Sequence, residues 1–155
     1  MVKISEFLNK HIKQTSLELA IPKLIEEFSR ILELKDGWDG ISASVFNEDE
    51  VLFAVKYTTV LSKDVYKKHK KQLFFDEINP CIDNTIDFSW REEGCKLLIS
   101  VSLSCKSTSS LRIGWYGERG NSIIKGEDII LCPRKVPPSP IVSPELVDFI
   151  GTVLL

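Results

Sequence analysis

Two histidines, His11 and His69, four cysteines and 22 carboxylates are the raw material for chemistry in this chain of 155 residues. Nucleophilic catalysis needs a base beside the nucleophile, and both histidines sit in polar helical stretches away from any cysteine. The cysteines are Cys81, Cys95, Cys105 and Cys132. None forms a C-x-x-C pair, so no zinc ligand set is expected. Walker, dinucleotide-binding, H-E-x-x-H and G-x-S-x-G patterns are missing from the sequence. Two carboxylate pairs, Asp36 with Asp39 and Asp83 with Asp87, could serve acid–base chemistry, but such pairs arise by chance in any acidic chain. The expectation is no catalytic residue, no cofactor and no metal.

Binding chemistry has two candidate sets. One is Trp38 with Asp39, an aromatic and a carboxylate held between Gly37 and Gly40. Glycine adopts positive φ without a clash, so this turn should stop one helix before another begins. Trp38 either plugs the helix joint or, with Asp39, builds a ligand pocket; packing is the commoner use of such a ring. The other set is Lys63, Lys67, Lys70 and Lys71, which steps of three and four would place on one side of a helix. Such a face could touch phosphates, and Arg91, Arg112 and Tyr116 on the polar face of a sheet could add charge and stacking. A solvated helix end is the plainer account of the lysines, because cations suit a helix C-terminus.

The elements that must position these residues follow from periodicity. Ile4, Phe7, Leu8 and Ile12 recur at helical spacing. A second helix begins near Ile21, with Pro22 in its first turn, and ends at the Gly-Trp-Asp-Gly turn. Asn47 followed by Glu50 is a capping-box start for a third helix, which turns basic before Gln72. Then the period changes to two. Phe74 and Phe75 open a short strand, and Asn79-Pro80 reads as a turn. Ile86, Phe88 and Trp90 alternate with polar residues; Leu97, Ile99, Val101 and Leu103 do the same, and so do Leu111, Ile113 and Trp115. Ser122 to Lys125 and Ile129 to Leu131 read as a further hairpin around Gly126-Glu127-Asp128. A proline-rich connector leads to a last helix capped by Ser143 with Pro144.

The expected fold is a single α+β domain: N-terminal helices over 1–72, an antiparallel sheet of about four to five strands over 73–132, then a connector and C-terminal helix over 133–155. An apolar content of 43%, a charged content of 27% and a net charge of -2 suit a soluble domain rather than a general nucleic-acid binder. No run spans a membrane and the first residues are not a signal peptide, so the expected location is the cytoplasm. The C-terminal helix is apolar on more than one face. That predicts a homodimer with Phe149, Ile150, Val153 and Leu154 at the interface.

The motif order resembles a loose group of small prokaryotic and phage proteins. The matching residues are Trp38, Asp39, Gly40 and Ala43, then Asp87, Phe88, Trp90 and Arg91, then Gly94, Tyr116 and Gly117. The group often has glycine and proline where this chain has Ser42 and Ser44. What the resemblance implies is an architecture, helices joined by a Trp-Asp-Gly turn and followed by a β-meander, in a mobile or defence-related setting and with no established activity. The leading functional expectation is a non-enzymatic interaction or regulatory module with an unidentified protein partner. The alternative is an RNA or DNA binder using the lysine helix and the sheet's polar face. An enzyme ranks third.

Overall fold

In a computed structural model, described over residues 1–11, 21–40, 45–103, 110–131 and 139–155, helices cover one face of an antiparallel five-stranded sheet. Three helices come first: α1 (Val2–His11), α2 (Ile21–Leu32) and α3 (Glu48–His69). The strands follow as β1 (Glu77–Cys81), β2 (Thr85–Glu92), β3 (Cys95–Ser102), β4 (Ser110–Arg119) and β5 (Ser122–Leu131). They lie in chain order, each paired with the next. A short α4 (Pro144–Phe149) closes the chain and widens into a π turn over Ile150–Leu154. The expected α+β class and element order hold. Cys105 and Cys132 fall outside the described residues.

The start of α3 is set locally. Asn47 has extended backbone and its side-chain oxygen accepts from the Asp49 amide at 2.8 Å. Lys3 on α1 meets this end, its amide bonding Glu48 at 3.0 Å and its ammonium Asp49 at 2.7 Å. At the other end Lys63 meets His11, so α1 runs beside α3 in the same direction. The buried residues of α3, including Val51, Phe53, Tyr57 and Leu61, join one core with Ile86, Phe88, Ile99 and Ile113 from the sheet. Alternation holds strand by strand: odd residues of β3 and β4 point into the core, even ones point out.

Five expectations need correction. Phe74 and Phe75 open no strand; they lie in the loop before β1, which starts at Glu77. Asn79-Pro80 is not a turn. Both lie in β1, where Pro80 is tolerated because β1 is an edge strand and Pro lacks a ladder donor. The turn comes later, at Asp83 and Asn84, with φ of 58° and 55°. The hairpin at Gly126-Glu127-Asp128 is instead the middle of β5, one strand paired from Ser122 to Leu131 along the whole of β4. Gly126 suits a strand there because the Trp115 ring fills the space, 2.5 Å from where a Cβ would stand.

The lysines do not share one helical side, because α3 ends at His69 and Lys70 turns left-handed at φ 58° as its cap. Last, the C-terminal helix buries its apolar face in its own chain. Ile150 and Leu154 are 0% and 2% exposed, while Phe149 and Val153 are half-buried. Gly117 makes room for it, since a Cβ there would stand 3.1 Å from Phe149 and 3.4 Å from Leu154. The apolar excess that suggested a partner at these four residues is largely taken up within the chain.

Candidate ligand pocket

An apolar pocket of about 280 Å³ opens between α1, α2, α3 and the loop that leads into β1. Its floor is aromatic. Phe28 from α2 and Phe75 from the loop both face Phe88 of β2, with ring centroids 6.3 Å and 5.8 Å away. Leu8, Leu24 and Val55 add aliphatic wall. Two threonines of α3 line it, yet their hydroxyls turn back onto the helix. Thr58 donates to the Ala54 and Val55 carbonyls, and Thr59 donates to Val55 at 2.8 Å. Those hydroxyls are therefore spent on the backbone and the interior stays apolar.

The rim has the opposite character. Lys63 Nζ donates to His11 Nδ1 at 3.3 Å. The His11 ring stacks on Phe7 at 4.4 Å, and Lys56 lies over the other aromatic, 5.8 Å from its centroid. Partial burial, and then the ammonium groups of Lys63, Lys10 and Lys56, hold His11 below the ordinary imidazole value. The neutral ring accepts from Lys63 and leaves the cationic character of the rim to that lysine. An apolar cavity under a cationic rim fits a ligand with an apolar body and an anionic head. Its volume is nearly twice the ~150 Å³ of an apolar cavity that holds benzene.

The residues expected to act lie elsewhere. Trp38 sits half-buried on Phe46, 6.2 Å between centroids, in a turn closed by Trp38 N to Lys35 O and Gly40 N to Gly37 O. Gly37 and Gly40 take φ of 76° and 83°, which the turn requires. Asp36 accepts from the Val45 amide at 3.1 Å, so it braces this turn. Trp38 and Asp39 are not part of the pocket wall. Asp83 lies exposed in its turn, whereas Asp87 accepts from Ser100 at 2.6 Å and from the Cys81 thiol at 3.3 Å. Burial, then Asp87, pushes the Cys81 thiol up to about 11, far from a reactive thiolate.

The candidate phosphate set is divided. Lys63 is at the pocket rim. Lys71 donates to the Gly151 carbonyl at 2.8 Å, and Lys70 lies 5.8 Å over the Tyr66 ring. Lys67 is exposed on α3. Arg112 and Tyr116 point away from the core, on the sheet face opposite the helices, and Arg91 is exposed near the end of β2. Lys96 covers Tyr116 at 5.3 Å while the Tyr116 hydroxyl donates to Glu118. The lysines and the sheet residues therefore do not form one surface.

Sequence reasoning missed the pocket itself. One signal was present: Thr59, Ser62, Lys63 and Tyr66 form a stripe at i, i+3, i+4 and i+7 on α3. Among the described residues, no three His, Cys, Asp or Glu gather to hold a metal, and no helix is long and apolar enough to cross a membrane. Compared with protein-family models, curated proteins and solved structures, the chain matches none.

Proposed function

We propose that this protein is a non-enzymatic interaction or regulatory module whose input is a small amphipathic anion held in the helical pocket. The observation that carries the reading is the pairing of an aromatic floor with a rim of Lys63 and His11. Burying an apolar body contributes about 25 cal/mol per Å² of surface removed from water. The rim then selects the sign of the head group and speeds its arrival. Such a ligand would tie α1 and α2 to α3, three helices that a partner could read as one surface. Because Leu8 and His11 of α1 line the pocket, the occupied and empty states would differ in how firmly α1 is held.

The test uses 8-anilinonaphthalene-1-sulfonate, an amphipathic anion whose fluorescence rises in apolar sites. The native protein should bind one equivalent, with a blue-shifted emission and a raised Tm. Lys63→Glu should weaken binding about tenfold or more, equivalent to about 1.4 kcal/mol, and leave the far-ultraviolet circular dichroism unchanged. Leu24→Trp, which fills the cavity, should remove binding. Saturable binding that is indifferent to both substitutions would place the dye elsewhere and overturn the reading.

A further inference from the structure

The two edges of the sheet are unlike. β1 is short, five residues, and carries Pro80, features that blunt an edge against pairing. β5 is ten residues long and, among the described residues, its strand partner is β4 alone. Its outward face reads Ile123, Lys125, Glu127, Ile129, with Ile123 55% and Ile129 56% exposed. β-branched residues this exposed on a long edge favour further pairing.

We infer that β5 pairs antiparallel with β5 of a second copy, about a two-fold axis at Gly126, to make one continuous sheet across a homodimer. The register follows from the sequence. Under such an axis, facing residues must lie on the same side of the pleat, so the axis passes through a residue. Centred on Lys125 or on Glu127, it sets like charges opposite each other, which destabilises a pair. Centred on Asp128, it sets Glu127 against Ile129 and Lys125 against Leu131. Centred on Gly126, it sets Lys125 against the second copy's glutamate at 127 and Ile123 against its isoleucine at 129. Each contact occurs twice by symmetry. The occupant is thus a second copy, chosen by self-complementarity of charge and shape. This interface is distinct from the C-terminal helix, whose apolar face is already covered within the chain. It is also independent of the ligand pocket.

The test is a charge exchange read by light scattering at about 100 μM and by sedimentation for the dimer Kd. The wild type should be a dimer. Lys125→Glu and Glu127→Lys should each raise Kd about tenfold or more, since each sets two like-charge pairs across the axis. The two substitutions together should return Kd to within about threefold of the wild type, because the pairs are restored with signs exchanged. Both side chains are exposed, so far-ultraviolet circular dichroism should be the same in all four proteins. A monomeric wild type, or a dimer that the single changes leave intact, or one that the double change fails to rescue, would overturn the inference.

Discussion

Tyr57 is fully buried on α3, and its hydroxyl has no hydrogen-bond partner among the described residues. Burial and then the Asp128 carboxylate hold its ionisation far above the ordinary phenol value, so it stays neutral. A buried hydroxyl without a partner costs about 1–3 kcal/mol of lost hydration. The ring, in contrast, fills core volume. Tyr57→Phe keeps the ring and removes the cost, so the variant should be as stable as the wild type or up to about 1 kcal/mol more stable. Urea denaturation measures this directly. A loss of more than about 1 kcal/mol would mean that the hydroxyl has a strong partner, such as a buried water that bridges it to Asp128. Trp38 shows the ring's usual role: it packs against Phe46, as its place between two glycines suggested.

At the scale of elements, the C-terminal helix is fastened to α3 by a polar clasp. Asp148 accepts from Lys68 at 2.6 Å and from His69 at 3.1 Å, and the His69 ring fills the space beside Gly151. The hydrogen bond and charge of Lys68, with His69 after it, hold the Asp148 carboxyl below its ordinary value of 3.8. A depressed carboxylate contributes stability that is complete above its unfolded value and is lost as pH falls through its folded one. The stability difference between wild type and Asp148→Asn should therefore be present at pH 6 and shrink as pH drops below 3.8. Because Asp148 is solvent-facing, the difference should also shrink in high salt. A difference unchanged down to pH 2 would show that the charge is not what the clasp uses.

Elements were also where the sequence was most readable. β2, β3 and the first half of β4 alternate so regularly that one face had to be core. Asn47 marked the start of α3 by its own chemistry. The two misread turns have one cause. Gly126-Glu127-Asp128 and Asn79-Pro80 carry turn residues, but a paired neighbour strand outweighs local preference, and β4 supplies ten residues of template. The pocket was illegible for a different reason. Leu8, Phe28, Thr59 and Phe88 are far apart in the chain and meet only when four elements pack, so no local window contains the site.

For the molecule as a whole, the decisive question is what the last twelve residues do. If they were a dimer handle, removing residues 144 to 155 would change the mass and little else. The packing says otherwise. Leu146, Val147, Ile150 and Leu154 are 0%, 5%, 0% and 2% exposed, all within the same core as α3 and the sheet. Arg119 at the end of β4 donates to the Val153 carbonyl at 3.0 Å, and Lys71 to that of Gly151 at 2.8 Å, so the terminal turn is bonded to two other elements. Burying an aliphatic side chain is worth about 1.5–3 kcal/mol, so four such residues amount to roughly 6–12 kcal/mol. A domain this size has a net stability of about 5–15 kcal/mol. Deleting residues 144 to 155 should therefore remove cooperative unfolding altogether. The product would be a collapsed chain with strand signal, weak near-ultraviolet circular dichroism and strong binding of apolar dye. A truncated protein that melted cooperatively within a few degrees of the full chain would show that the helix rests on a core already complete without it.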